Sequence, residues 1–283
     1  MRIANLCAWA MAGIMMLSGR FAGAAEAVAG RPIPKGTGFQ RAVTEVARDI
    51  FWLDDLLLVV VAVISIFVTI LLLIVIVKFN RKANPTPATF THNAVLEVAW
   101  TVIPVIILVV IAIPSLRLLF LQLEVPEPDL TIKATGNQWY WSYEYPDANI
   151  SFDAVMLQKD ELEANGYTAD DWLFATDTRV VVPVNAVVHM VVTGSDVIHA
   201  WAIPSFGSKI DAVPGRLNET WFKAEETGVF YGQCSELCGM NHTYMPIVVE
   251  VMEQPAYDAW VQTQQALNDT APTEQPTKLA VTE

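Results

Sequence analysis

The first half of the chain contains two long stretches of mainly apolar residues without a single charge, at positions 56–77 and 98–116. Each stretch is about 20 residues long, which is the length that an α-helix needs to cross the hydrocarbon core of a bilayer. Two prolines fall within the second stretch, and membrane helices tolerate proline better than soluble helices do. The pattern therefore predicts two transmembrane helices, at residues 53–78 and 95–121.

The pattern changes beyond about residue 125, where apolar and polar positions alternate in short runs. Such alternation is typical of strands that bury one face. The clearest runs lie at 130–134, 139–145, 179–192 and 247–252. Because glycines and prolines separate them, they predict an antiparallel sandwich or barrel. The predicted fold class is thus an α+β membrane protein, with an N-terminal two-helix transmembrane hairpin followed by an all-β domain at 125–260.

The N-terminus has the features of a secretory signal peptide over residues 1–25. Arg2 supplies a positive start, residues 6–17 are mostly apolar, and the small residues at 22–25 are typical of a cleavage region. The apolar part is too short to span a bilayer. An uncleaved helix at the membrane interface is the alternative. Cleavage would remove Cys7 from the mature protein.

The charges around the apolar stretches predict the orientation of the chain. Lys78, Arg81 and Lys82 cluster at the start of the loop 79–94, and loops rich in Lys and Arg remain cytoplasmic. The chain is then a multi-pass protein of a bacterial inner membrane, with both termini and the β domain in the periplasm. Residues 26–52 are predicted as a periplasmic N-terminal segment, and the polar residues 261–283 as a disordered tail.

Composition adds a prediction about partners. The net charge is −13, and the acidic excess lies from Glu124 onward, whereas the preceding residues carry a slight basic excess. A strongly acidic domain repels nucleic acid and attracts basic proteins. The predicted partners are therefore the lipid bilayer and a basic protein, and no nucleic acid.

The residues with the most distinctive chemistry lie close together near the end of the predicted domain. Cys234, Cys238, His242 and Met245 follow the pattern Cys-x3-Cys-x3-His-x2-Met, and a second histidine, His199, follows a predicted strand. Thiolate, imidazole and thioether form a soft ligand set that favours copper over magnesium or calcium. A blue-copper site uses one cysteine, whereas two thiolates can bridge two copper ions. A loop carbonyl, such as that of residue 236, could complete one of them.

Three other interpretations of these residues remain open on spacing alone. Cys234 and Cys238 could form a disulfide, because the periplasm is oxidising. They could also bind structural zinc together with His242. The histidine and the methionine could simply be packed loop residues. The presence of all five donors in one pattern favours copper.

Three motifs carry a resemblance to a known family: Gln-Trp-Tyr-Trp-Ser-Tyr-Glu-Tyr at 138–145, Pro-Gly-Arg-Leu-Asn at 214–218, and Cys-Ser-Glu-Leu-Cys-Gly at 234–239. Over about 49–252 the chain resembles subunit II of haem–copper cytochrome c oxidases of the alphaproteobacterial or mitochondrial type. The resemblance implies a cupredoxin-like Greek-key sandwich. One departure is Asn137, where the family usually has a histidine.

The resemblance also implies a dinuclear copper centre, CuA. Its ligands would be the side chains of His199, Cys234, Cys238, His242 and Met245 and the main-chain carbonyl of Glu236. The Glu236 carboxylate would reach a magnesium or manganese ion shared with subunit I, because carboxylates suit such hard ions.

Further roles follow from the same resemblance. Trp139 would be the point at which electrons from cytochrome c enter, although alternating aromatic residues are also common in a sandwich core. Glu97 would stand near the entrance of a proton channel in subunit I, although an acidic residue also favours a helix N-terminus. Candidate docking carboxylates for cytochrome c are Glu144, Asp147, Asp153 and Asp196.

The resemblance predicts an enzyme subunit, part of a proton-translocating cytochrome-c oxidase that also contains subunits I and III. It would accept electrons from reduced cytochrome c and pass them to haem in subunit I, where oxygen is reduced to water and protons are pumped. The chain has no Cys-x-x-Cys-His motif, so the donor cytochrome should be a separate protein. Three rival functions are a quinol oxidase subunit, which lacks the copper ligands, a copper-delivery protein and a nitrous oxide reductase domain. The last two do not explain the two-helix hairpin.

Overall fold

The computed structural model describes residues 30–33 and 36–270, with side chains up to residue 267. The predicted signal peptide lies outside the described residues. The described chain divides into a helical unit, Glu45–Glu124, and a β unit that combines the residues before Glu45 with those from Val125 onward.

The helical unit consists of α1 (Glu45–Lys78) and α2 (Ala94–Leu123). Both helices are long and apolar enough to cross a membrane. Helix α1 begins at Glu45 rather than at residue 53, because no glycine or proline interrupts the residues between them. The final part of the predicted N-terminal segment is therefore helical. Helix α2 starts at the cap residue Asn93, whose side chain accepts hydrogen bonds from two backbone N–H groups of the first turn.

The β unit contains ten strands and one α-helix within the described residues. The strands are β1 (Leu130–Asn137), β2 (Tyr140–Tyr145), β3 (Ile150–Ala154), β4 (Val180–Pro183), β5 (Val188–Gly194), β6 (His199–Ile203), β7 (Ser208–Ala212), β8 (Asn218–Phe222), β9 (Gly228–Gln233) and β10 (Pro246–Met252), and the helix is α3 (Gln254–Thr270). The sheets have the orders β3-β2-β1-β5-β8, β4-β10-β9 and β6-β7. Most pairs are antiparallel, but β1 with β5 and β4 with β10 are parallel.

The core lies between the inner faces of these sheets. Strands β1 and β5 bury every second residue, as their alternating sequence predicts. Trp201 and Phe222 stack at a ring-centroid distance of 6.0 Å, and Phe206 stacks on Phe222 at 4.6 Å. The predicted run at 179–192 is two strands in different sheets, because Asn185 adopts a positive φ of 63° and turns the chain.

The predicted disordered tail at 261–283 is wrong for its first ten residues, which belong to α3. The Trp260 ring lies 5.4 Å from that of Tyr145, and Gln265 Nε2 donates to the Ala148 carbonyl at 2.9 Å. These contacts hold a polar helix against the β unit, although its composition alone suggests disorder. The remaining residues, 271–283, lie outside the described part.

The segment before α1 is part of the β unit. The Gly30 carbonyl accepts a hydrogen bond from Tyr231 N at 3.0 Å, and Val43 N donates to the Ser205 carbonyl at 3.0 Å. Farther along the chain, the irregular residues 155–179 pack against β9 and β10. Arg31 connects the two segments, because its guanidinium donates to the buried carboxylate of Asp171.

Asp171→Asn should lower the free energy of unfolding of the β unit by about 1–2 kcal/mol at pH 7. Burial alone would raise the pKa of Asp171, but hydrogen bonds from Thr168 and the charge of Arg31 outweigh it and hold the pKa below the ordinary value of 3.8. The stabilisation is therefore fully present above that value and is lost as the pH falls through the lower folded-state pKa. Thermal unfolding of the full chain in detergent, followed by near-ultraviolet circular dichroism from pH 3 to 8, measures it.

The exposed neighbour Asp170 provides the control for this prediction. Asp170→Asn should leave the unfolding temperature near that of the unmodified chain at every pH. Equal losses in the two variants, or a difference for Asp171→Asn that persists undiminished at the acid end, would contradict a role for the Arg31–Asp171 pair.

Candidate metal centre

The five predicted donors come from two places in the fold. Strands β9 and β10 form an antiparallel hairpin in which Gln233 pairs with Pro246, and the loop between them carries Cys234 to Met245. A backbone hydrogen bond from Cys234 N to the Met245 carbonyl, 3.3 Å, closes this loop at its base. His199 is the first residue of β6, and Ser235 N donates to the neighbouring Ala200 carbonyl at 3.0 Å. This bond fastens the loop beside β6.

The structure brings all five side chains together, with Cys238 in the middle. Its Sγ lies 3.8 Å from Cys234 Sγ, 3.5 Å from His242 Nδ1 and 3.5 Å from Met245 Sδ. Cys234 Sγ lies 3.9 Å from His199 Nδ1. The Glu236 carbonyl lies 3.3 Å from Cys234 Sγ, so the sixth predicted donor borders the cluster as well.

The distance between the two sulfur atoms excludes a disulfide in this structure, which is one of the interpretations that the spacing left open. A disulfide requires about 2.05 Å between them, and both cysteines are free thiols in this structure. Zinc–thiolate bonds are about 2.3 Å long, so a single transition metal ion can reach both sulfur atoms. His199, Cys234 and Cys238 are all buried, and their donor atoms lie within 4.8 Å of one another. The donor set is thus compact and buried, and it contains the soft ligands that copper favours.

Three of the donor residues have pKa values that the cluster itself shifts. Burial opposes ionisation of Cys234, but hydrogen bonds from His199 and the loop backbone lower its pKa to about 7. Burial and the neighbouring Cys234 sulfur raise the pKa of Cys238 to about 12. Burial lowers the pKa of His199, but Cys234 and Asp196 outweigh it and raise the pKa above its ordinary value. Metal binding would therefore release protons from these ligands.

A second layer of residues fixes the orientation of His199. Its Nε2–H donates to Asp196 Oδ1 at 2.8 Å, which leaves Nδ1 free to face the cluster. On the other side, Gly136 of β1 leaves room for the imidazole, since a Cβ atom at this position would lie 2.8 Å from His199 Cδ2. The Trp141 ring packs edge-on against the imidazole at a centroid distance of 6.1 Å. Packing and one hydrogen bond together hold the ring in a single position.

Comparison with known proteins identifies the family. Residues 130–252 match the periplasmic domain of cytochrome C oxidase subunit II, and residues 32–118 match its transmembrane domain. Cytochrome c oxidase subunit 2 of Cereibacter sphaeroides is 49% identical over 249 residues, which cover 83% of this chain and 82% of the relative. The chain belongs to the cytochrome c oxidase subunit II family.

Two further proteins are similar to this chain. The probable cytochrome c oxidase subunit 2 of Rickettsia bellii is 47% identical over 234 residues, which cover 82% of this chain and 86% of the relative. The crystal structure of the periplasmic domain of cytochrome oxidase subunit II of Bradyrhizobium japonicum is 54% identical, covers 51% of this chain and 99% of that chain, and has a TM-score of 0.46.

Membership of the cytochrome c oxidase subunit II family confirms the predicted fold class, with two apolar helices followed by a cupredoxin-like β domain. It also makes the chain a membrane protein and a component of a haem–copper oxidase. The family implies copper of the CuA type, and the buried sulfur–nitrogen cluster fits that metal. The three rival functions are thereby set aside.

The other predicted residues occupy different environments. Trp139 is half-buried against the ligand loop, and its Nε1–H donates to the Cys238 carbonyl at 3.3 Å. Glu97 lies in the first turn of α2, where its carboxylate accepts a hydrogen bond from Asn93 N at 3.3 Å. Asn137, the departure from the family pattern, donates to Ser142 Oγ at 3.0 Å and accepts from Ser195 Oγ at 2.6 Å.

Three of the four predicted docking carboxylates are already engaged within the chain. Glu144 pairs with Lys133 at 2.7 Å, and Asp153 accepts a hydrogen bond from Ser142 Oγ at 2.6 Å. Asp196 is the most constrained, because one oxygen binds His199 and the other accepts from Gln138 N at 2.7 Å. Asp147 is exposed.

Proposed function

We propose that this chain receives electrons from reduced cytochrome c at a dinuclear CuA centre and passes them to haem in subunit I, where oxygen is reduced to water and protons are pumped. The observation that carries the proposal is the cluster around Cys238, which combines two cysteine sulfur atoms, two imidazoles and a thioether. CuA, when bound, supplies a one-electron carrier whose charge is shared between two metal ions.

The residues of the chain would bind the metal and keep its surroundings rigid. His199, Cys234, Cys238, His242 and Met245 would supply side-chain ligands, and Glu236 its carbonyl. Cys234, Cys238 and Met245 are almost completely buried, so water has little access to the sulfur atoms. Rigid ligands and a dry environment favour electron transfer, because little has to rearrange when the charge changes.

The surroundings of Trp139 support its role as the point where electrons enter. The indole reaches from the partly exposed side of the domain to the carbonyl of Cys238, the central residue of the cluster. Asp147 is the freest of the predicted docking carboxylates, with Glu144 and Asp153 close to it in sequence. An acidic surface would attract a basic cytochrome c, and this attraction would weaken at high salt.

Glu236 would have two different tasks. Its carbonyl faces Cys234 Sγ, whereas the residue itself is exposed. This arrangement supports a carbonyl ligand for copper and a carboxylate free to bind magnesium or manganese together with subunit I. Subunit III is a further expected partner, and Glu97 would stand at the entrance of a proton channel in subunit I.

The topology of the membrane unit supports the proposed location. The basic residues at the end of α1 and in the following loop would remain cytoplasmic at the bacterial inner membrane. The β unit and both termini would then face the periplasm, where cytochrome c is accessible.

The test is copper analysis of the full chain, purified in detergent and loaded with copper, together with its electron paramagnetic resonance spectrum. Two copper ions per chain, with hyperfine splitting from one electron shared by both nuclei, are expected. A single copper, or splitting from one nucleus, would contradict a dinuclear centre.

In the intact oxidase, kcat/KM for cytochrome c should fall as ionic strength rises, and a rate independent of salt would contradict electrostatic docking.

A further inference from the structure

Gln138 contacts both sides of the metal cluster, although its side chain is not among the predicted ligands. Its backbone N–H donates to Asp196 Oδ2 at 2.7 Å, and the other oxygen of Asp196 holds His199. Its side-chain Nε2–H donates to the Cys238 carbonyl at 2.8 Å. One residue therefore connects the histidine of β6 with the central cysteine of the ligand loop.

The position of the Gln138 amide depends on the glycine that follows Cys238. Gly239 has a φ of +123°, and a Cβ atom added there would lie 3.2 Å from both Gln138 Nε2 and Trp139 Cζ2. A side chain at this position would thus press on the two donors that share the Cys238 carbonyl, Gln138 Nε2 and Trp139 Nε1. The absence of a side chain at Gly239 therefore leaves the space in which Gln138 and Trp139 can both reach the Cys238 carbonyl.

We propose that Gln138 is a positioning residue for the copper centre, which fixes Cys238 through its carbonyl and His199 through Asp196. Two N–H dipoles point at the Cys238 carbonyl and place partial positive charge on the backbone of this central ligand. Such charge stabilises the reduced, less positive centre relative to the oxidised one. Loss of the side-chain donor should therefore lower the reduction potential while leaving all five ligand side chains in place.

Because this role presupposes the proposed CuA centre, the test begins with the unmodified chain in the intact oxidase. Gln138→Met keeps the length of the side chain but removes the donor, and Gln138→Glu keeps the shape but replaces the donor with an acceptor. Both variants retain the backbone N–H to Asp196. Gln158→Met, at an exposed glutamine in the irregular segment 155–179, is the matched control.

The first readout is the redox equilibrium of the copper centre. Gln138→Met should shift the electron-transfer equilibrium with a reference dye about threefold toward the oxidised form, roughly what one net hydrogen bond provides. Gln138→Glu should shift it by about tenfold, which corresponds to about 59 mV for one electron. Copper content should stay at that of the unmodified oxidase, and the hyperfine pattern should change in both variants but not in Gln158→Met.

A role of Gln138 at the docking surface alone would change different measurements. If Gln138 acts only at the docking surface, KM for cytochrome c will change in both variants while the potential and hyperfine pattern stay unchanged, and the proposal is then wrong. If the unmodified chain itself shows no dinuclear copper signal, the proposed function fails rather than this inference.

If a variant binds no copper, a second measurement tests the positioning role on the copper-free chain. The copper-free full chain is treated with a thiol reagent in detergent, and the modification of Cys238 is followed by mass spectrometry. A positioning role predicts that Cys238 reacts at least about threefold faster in Gln138→Met than in the unmodified chain, at an unchanged unfolding temperature. Equal reaction rates would overturn it.

Discussion

Replacing Cys238 with serine should abolish the copper centre while leaving the β unit folded. Cys238 Sγ is the sulfur that contacts the most other donors, since Cys234 Sγ, His242 Nδ1 and Met245 Sδ all lie within 3.8 Å of it. A serine hydroxyl is a harder donor than a thiolate and stays protonated at neutral pH, so it is a poor partner for copper. The loss of copper affinity should exceed the roughly 10–100-fold drop that follows when a residue that only hydrogen-bonds to a ligand is removed.

Three measurements on the Cys238→Ser variant check this expectation: copper per chain, the paramagnetic resonance spectrum, and cytochrome c oxidation by the assembled oxidase. Oxidation of cytochrome c should fall to background, and at most one copper ion should remain, with the spectrum of a single nucleus. The matched control is Met240→Leu, in the same loop, whose side chain points to solvent and is 83% exposed. A Cys238→Ser chain that kept a spectrum from two coupled copper nuclei would show that Cys238 is not a ligand.

The sequence predicted those parts of the molecule that depend on neighbouring positions in the chain. The two membrane helices follow from uninterrupted apolar stretches, and the ligand loop brings Cys234, Cys238, His242 and Met245 within twelve residues of one another. Such features need no knowledge of which strands are neighbours. His199 was also found, as a histidine that follows a predicted strand and adds an imidazole to the soft ligand set.

The features that sequence missed depend on contacts between distant segments. Gln138 lies 100 positions before the carbonyl that it holds, and the hydrogen bonds of Asp196 with His199 and Gln138 were not predicted. The spacing of Asp196, three residues before His199, was the one available signal. Helix α3 was missed for a similar reason, because the polar residues beyond 260 are helical through packing against Tyr145 and Ala148 rather than through their composition.

The segment before α1 illustrates the same limit at the level of domains. The family match to the transmembrane domain begins at residue 32, yet Val43 and its neighbours belong to the β unit. Val43 is buried in the main core, at 1% exposure. A fragment that starts after α2 would therefore lack part of the native core, although it would contain every predicted copper ligand.

Gly136→Val should weaken copper binding by up to about 100-fold, although residue 136 is not a predicted ligand. A Cβ atom at this position would lie 2.8–2.9 Å from three atoms of His199, which is closer than real Cβ contacts allow. The imidazole is also held by the Trp141 ring and by Asp196, so it cannot yield without losing one of them. The branched side chain must therefore displace His199 Nδ1 from the cluster or push strands β1 and β6 apart.

The graded series Gly136→Ala and Gly136→Val separates displacement of His199 from general destabilisation, because alanine adds only the Cβ atom. We expect a loss of about tenfold for alanine and up to about 100-fold for valine in the chelator concentration needed to remove half of the copper. Gly38→Val is the control, since nothing lies within 4 Å of a Cβ atom there. If the copper-free Gly136→Ala chain unfolds at the temperature of the unmodified chain and still loses copper more readily, displacement of His199 is responsible. Unchanged copper retention in both Gly136 variants would instead mean that His199 adapts freely and that β1 does not help to position the metal centre.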